Sequence, residues 1–158
     1  MTDTTATATA TIAAPPLNAR VIALAHYAGR ALVERVMAGH GSSFLQNVTL
    51  RAAAVADGSI TPDALAAEVT DALKIDKSDA DAVIEELITA NLMEADPIDP
   101  SWIQLTDAGR DLYARSSADT GAIAARLYDG IPAEDLKIAG RVLTLIAQRA
   151  NAELAAAA

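Results

Sequence analysis

Apolar positions recur at helical spacing through most of this chain. From Leu17 to Ala38 they are Leu17, Val21, Ile22, Leu24, Ala25, Ala28, Ala31, Leu32, Val33, Val36 and Met37, which cover more than one face of a first helix. Such a helix is expected to be buried from two sides. Gly39-His40-Gly41 ends it, and Ser42 or Ser43 can cap a second helix over Phe44 to Val55 that stops at Asp57-Gly58. Thr61-Pro62-Asp63 opens a third, with the threonine as cap and the proline in the first turn, expected to run through Leu65, Val69 and Leu73 to Ile75. A fourth begins near Asp76 to Ser78 and ends near Asn91. It carries Ala80, Val83, Ile84, Leu87 and Ile88 on one stripe and Asp79, Asp81, Glu85 and Glu86 outside.

The period then changes. Leu92-Met93-Glu94 and Trp102-Ile103-Gln104-Leu105 read as two short strands around Asp96-Pro97-Ile98-Asp99-Pro100, whose prolines and aspartates suit a turn. Thr106 to Asp107 caps a long fifth helix to about Tyr128, which Asp129-Gly130-Ile131-Pro132 breaks. A last amphipathic helix uses Leu136, Ala139, Leu143, Ile146, Ala150 and Leu154.

Composition sharpens this outline. The chain has 158 residues, of which 38 are Ala and five are aromatic, so closely packed helices are expected around a modest core. There is no cysteine, which excludes disulfides and thiolate sites, and the two histidines, His26 and His40, leave little material for a metal centre. No cofactor is implied. The first sixteen residues lack a basic start and a continuous apolar run, so they read as a disordered leader and not a signal peptide. No apolar run approaches the roughly 18 residues that a membrane span needs. A cytoplasmic protein is expected.

The order of elements and several short runs together resemble the MarR family of winged-helix regulators. The runs are Leu50-Arg51 in the second helix, Thr61-Pro62-Asp63-Ala64-Leu65-Ala66, Asn91-Leu92-Met93-Glu94, Ile131-Pro132-Ala133-Glu134-Asp135, and above all Leu105-Thr106-Asp107-Ala108-Gly109-Arg110, which resembles the family's Leu-Thr-x-x-Gly signature after the wing. The resemblance implies a mostly α winged helix-turn-helix with a small β-hairpin wing and an intertwined helical dimerisation region. It divides the chain into a leader (1–16), a helical dimerisation region (17–42 and 106–154) and a winged-helix lobe (43–105). It further implies a homodimer, a fourth helix that enters the DNA major groove, and a small-molecule pocket between the dimer-forming helices and the DNA-binding lobe.

Charge sets this sequence apart from that pattern. Thr61 to Asp99 holds eleven acids and two bases, Lys74 and Lys77, for a segment charge of −9, equal to that of the whole chain. Duplex DNA is bound by cations that displace counterions from phosphates, and acids act in reverse. No arginine stands between Arg51 and Arg110, so the wing lacks the arginine that the family usually places in the minor groove, and Trp102 stands near that place. If DNA binding is retained, Lys74, Lys77, Ser78 and Trp102 are the candidate contacts. Thr70 to Lys74 resembles a one-turn insertion, and the glycine usual at the turn is absent.

The second departure concerns the pocket. Asn47 and Thr49 stand where the resemblance implies an aromatic and an aliphatic residue. Ser43, Asn47 and Arg51, four residues apart, are expected to share a helix face, as are His26 and Arg30 beside Tyr27. With Tyr113 these residues form the candidate ligand set, suited to a carboxylate-bearing or phenolic molecule. Whether any reaction is catalysed is left undecided, with His26 the one candidate acid or base. For these residues the plainer readings are a packed or interface His26, a helix-end cap for His40, a capping Asn47, a structural Arg51, a Trp102 that covers the wing base, and dimer-core roles for Tyr113 and Tyr128.

Three functions follow. The first is a homodimer with lost or weakened DNA reading that binds a small acidic or aromatic molecule, with recruitment to a biosynthetic step as its extension. The second is a conventional ligand-responsive regulator on palindromic duplex DNA. The third is a protein whose acidic lobe mimics nucleic acid and occupies a basic partner.

Overall fold

The computed structural model describes residues 16–56 and 58–157, so all of the expected leader except Pro16 lies outside the described residues. Six helices and one hairpin follow in the predicted order: α1 (Ala19–Gly39), α2 (Phe44–Val55), α3 (Pro62–Leu73), α4 (Lys77–Thr89), β1 (Met93–Ala95), β2 (Ile103–Leu105), α5 (Asp107–Tyr128) and α6 (Ala133–Ala157). Side-chain caps place several starts. Asn18 accepts from the Val21 amide, Thr61 from Ala64 and Thr106 from Gly109. Of the two candidate serines, Ser43 caps α2, in a reciprocal capping box with Gln46.

The core lies where α2, α3, α4, the hairpin and the first turns of α5 meet. Leu50, Leu65, Val69, Ala80, Ile84, Leu87, Met93, Ile103, Leu105 and Leu112 form one buried cluster. On α4 the buried residues are Ala80, Val83, Ile84 and Leu87, as the apolar stripe predicts, while Ile88 at its end is exposed. The hairpin pairs Met93 with Leu105 and Ala95 with Ile103 in antiparallel register, one residue later on the first strand than expected. Ile60 adds an isolated bridge to Ile103, a third short rung that the sequence pattern did not reveal.

Two details differ from expectation, the end of α3 and the burial of α1. α3 stops at Leu73 and does not reach Ile75, because Lys74 turns into the left-handed region at φ 55°, ψ 41° and its amide closes on the Thr70 carbonyl. Lysine thus occupies the position where a glycine costs less, since the Cβ crowds the backbone there. Asp76 starts α4 without a side-chain capping bond. α1 has one fully buried residue, Met37, while Leu24 and Tyr27 stay exposed, so the single chain does not supply the two-sided burial that its pattern predicts.

α6 departs furthest from a packed helix. None of its residues is buried, it packs extensively on no other described element, and Ile138, Val142, Leu143, Leu145, Ile146 and Leu154 all stand exposed. No helix among the described residues is long and apolar enough to cross a membrane.

At the junction of wing and α5 stands the one glycine among the described residues whose added Cβ would meet other atoms. A Cβ built on Gly109 would lie 2.0 Å from the Leu92 carbonyl oxygen, a backbone atom that cannot swing aside. Gly109→Ala is therefore expected to lower the free energy of unfolding by about 3 kcal/mol, toward the upper end of overpacking costs. Denaturant melts of the two proteins, compared at equal m-value, check this.

Candidate functional site

The acidic block becomes a surface defined by α3, α4 and the wing. Both of its lysines are already engaged there. Lys77 Nζ reaches Asp81 at 2.9 Å and Asp63 at 3.1 Å, an arrangement that ties α4 to the start of α3. Asp81 first and then Asp63 raise the Lys77 pKa above its ordinary value, so its charge is held inside a cluster with two carboxylates. Lys74 Nζ lies 2.7 Å from Asp71. Ser78 and Asp79 in the first turn of α4, and Glu85 and Glu86 further along, are exposed; Asp81 is only partly so. Glu86 also accepts from the Gln46 amide at 3.1 Å, which links α4 to α2.

The wing turn is built by aspartates, as its sequence predicts. Asp96 accepts from the amides of Ile98 at 2.7 Å and Asp99 at 3.0 Å and from the Ser59 hydroxyl. Asp99 accepts from the amide and hydroxyl of Ser101. Both carboxyls are held below the ordinary value of 3.8, Asp96 chiefly by Ser59 and Asp99 chiefly by the Ser101 hydroxyl. Ile98 at the tip is 92% exposed and Trp102 40% exposed, so Trp102 covers the wing base only partially. Trp102 also donates its amide to the Asp99 carbonyl at 2.9 Å.

The seven candidate ligand residues do not gather in one cavity of the single chain. Ser43 is consumed by capping and lines a shallow groove with Asp79 and Glu86. Asn47 turns to α5, where its Oδ1 accepts from the Ser116 hydroxyl at 3.3 Å; Ser116 is buried. Arg51 lies in a groove between α2 and α3 beside Glu68. Tyr113 lines another cavity with Gln104 and Arg110, half-buried against the core. The reason is the helical repeat. Each step of four residues advances about 40° beyond a whole turn, so Ser43, Asn47 and Arg51 fan out over about 80° around α2, with Asn47 toward α5 and Arg51 toward α3.

On α1, Arg30 pairs with Glu34 at 2.8 Å and stacks 4.8 Å over the Phe44 ring. His26 and Tyr27 are exposed and touch each other edge to face at 5.6 Å. Thr49, read as a polar intrusion, is fully buried and spends its hydroxyl on the Leu45 carbonyl at 2.9 Å. His40 does more than end α1. Its backbone amide reaches the Val36 and Met37 carbonyls, and its Nε2 lies 2.8 Å from Asp119 of α5. That contact was missed, because nothing in the sequence links positions 79 residues apart. Among the described residues no three His, Asp or Glu side chains gather as metal ligands would.

A helix-turn-helix followed by a short hairpin wing and a long helix defines the winged-helix class. No family model and no curated protein matches the sequence, so similarity is found among solved structures. A MarR-family transcriptional regulator from Rhodococcus sp. RHA1 is 21% identical, with a TM-score of 0.66 over 80% of this chain and 91% of its own. CouR from Rhodococcus jostii RHA1, solved with p-coumaroyl-CoA bound, is 21% identical with a TM-score of 0.68 over 80% of this chain and 89% of its own. The reduced form of MarR from E. coli is 19% identical with a TM-score of 0.63 over 84% and 94%. The chain thus has the MarR-like winged helix-turn-helix fold.

The wing carboxylates make a pH prediction. Their folded pKa values are depressed, so their stabilisation is present above the unfolded carboxylate value of about 3.9 and is lost as pH falls through the folded values. The protection of the Ile98 and Asp99 amides, relative to their intrinsic exchange at the same pH, is expected to fall below about pH 4, ahead of protection in α4. In Asp96→Ala their protection should be low at every pH. Protection measured by NMR that stays high in the variant would remove Asp96 as the organiser of the turn.

Proposed function

We propose that the chain works as a homodimeric small-molecule-binding protein of MarR-like fold in which DNA reading is weakened. The observation that carries this is the engagement of both lysines of the reading head by carboxylates of the same surface. A phosphate approaching α4 would have to displace two carboxylates from Lys77 while facing the exposed Asp79, Glu85 and Glu86. Each phosphate contact contributes about 0.9 to the salt slope of binding, and this face offers almost none. The wing adds Glu94, Asp96 and Asp99 and no base.

Dimerisation is supported by the apolar faces that one chain leaves open: Leu24 and Tyr27 on α1, Leu127 and Tyr128 on α5, and most of α6. Residues 17–42 and 106–154 would form the dimer region and 43–105 the reading lobe. Helices from two copies would cover those faces and bring His26, Tyr27 and Arg30 toward a second chain, which completes a pocket that one chain lacks. The ligand bound by CouR, an acidic thioester with a phenolic ring, has the chemistry that His26, Arg30 and Tyr27 suit. A catalytic use of the pocket would rest on His26 alone.

The conventional regulator is the rival reading, and one of the similar structures is described as a MarR-family transcriptional regulator. One pair of measurements separates the two. In a fluorescence-anisotropy titration at low salt, the dimer is expected to give no saturable binding to palindromic duplex from upstream of its own gene. The variant Asp79→Lys, Glu85→Lys, Glu86→Lys should bind duplex at least about tenfold more tightly with a steeper salt slope. Saturable, salt-sensitive binding by the native protein would falsify weakened reading. Light scattering should show a dimer that Leu143→Glu with Ile146→Glu converts to monomer; a native monomer would end the dimer proposal.

A further inference from the structure

α2 and α3 leave between them a groove of about 350 Å³, inside the range of small-molecule clefts of roughly 300–1,000 Å³. Its walls are aliphatic, with Val48 and Val55 from α2, Val69 from α3 and Ile60 from the connection. Val55 is 71% exposed although it faces this groove, so its apolar surface is left without a partner in the chain. Two charged side chains line the same groove from opposite helices, Arg51 and Glu68. They line one groove without forming an ion pair with each other or with any other described residue.

An aliphatic groove with an unpaired guanidinium on one helix and an unpaired carboxylate on the other has the donor and acceptor pattern of a zwitterion site. We propose that this groove binds an apolar α-amino acid, with its carboxylate on Arg51, its ammonium group on Glu68 and its side chain against Val48, Val55, Ile60 and Val69. Each alternative ligand class leaves one group unsatisfied. A dianion would face Glu68, a simple amine would face Arg51, and a neutral apolar molecule would use neither charge. Paired charge-assisted hydrogen bonds are stronger and more directional than neutral ones, which gives the site its selectivity.

The position has a consequence for the fold. α3 is the first helix of the helix-turn-helix, and Lys77 ties it to α4 through Asp63. An amino acid that bridges α2 and α3 would therefore fix the angle at which the acidic reading face is presented. The groove lies within the winged-helix lobe, and the inference stands whether or not the protein dimerises or reads DNA. The anisotropy titration reports on DNA separately.

The test uses the full chain and three probes: L-leucine, 4-methylpentanoate, which lacks the amine, and 3-methylbutylamine, which lacks the carboxylate. Two-dimensional amide NMR with calorimetry should show saturable shifts at Val55, Val69 and Ala72 with leucine. Each single-charge analogue should bind about tenfold more weakly or worse, the loss of one charge-assisted contact. Arg51→Met and Glu68→Gln alter exposed side chains and keep the fold, and each should cost leucine a similar factor. The proposal is overturned if leucine produces no saturable shift in the groove. It is equally overturned if 4-methylpentanoate binds as well as leucine, or if Glu68→Gln leaves leucine affinity unchanged.

Discussion

Much of this structure hangs on the approach of the first turn of α5 to the end of α4. Asn91, at φ 58°, reverses the chain after α4, and the Leu92 carbonyl it exposes accepts the Thr106 amide at 3.1 Å. Thr106 donates its hydroxyl to the Asn91 carbonyl at 2.8 Å and accepts from the Gly109 amide at 3.0 Å. One threonine therefore caps α5 and binds it to the residue where the wing begins. Only a glycine at position 109 lets the two backbones come this close. From that fixed start α5 extends to Ser116 and Asp119, which hold Asn47 of α2 and His40 at the end of α1. The start of the long helix, and with it the relation of the wing to α1, is held by a contact of four residues, Asn91, Leu92, Thr106 and Gly109.

The sequence made most of the fold legible because its signals are local. Caps such as Thr61 and Thr106, the proline after the first, and the 3.6-residue stripe of α4 are each read within one or two turns. The Leu-Thr-x-x-Gly run was legible as a motif, and its physical content, a hydroxyl that serves two elements and a missing Cβ, became visible only in three dimensions. Lys74 shows the converse. No short-range rule places a lysine at φ 55°, because tertiary packing on both sides imposes the turn and the side chain tolerates it.

The candidate site was less legible, again for a physical reason. A spacing of four predicts neighbours on a helix, yet two steps of four already drift by about 80°. Ser43, Asn47 and Arg51 consequently serve a cap, an α5 hydrogen bond and the α2–α3 groove in turn. The contact between His40 and Asp119 and the groove partner Glu68 depend on how helices pack, which spacing within one helix does not encode.

Charge behaves differently from contact, because it is counted in the sequence and only its pairing needs coordinates. A count of eleven acids against two lysines could describe a solvated face with the lysines free to bind phosphate. In the structure both lysines are paired with carboxylates of the same surface. Lys77 is shared between α3 and α4, so the cation that would greet DNA is instead part of the internal geometry of the helix-turn-helix. Exposed ion pairs are individually worth about 0–1 kcal/mol, so stability alone gives little reason to spend the lysines in this way. Their larger effect is on the outward field, since each pairing cancels a positive charge on the face where the fold would present one. On the proposed function, a winged helix whose two reading-lobe lysines are paired from within keeps the scaffold and attracts duplex less strongly, and the grooves behind that face become the place to seek its ligands.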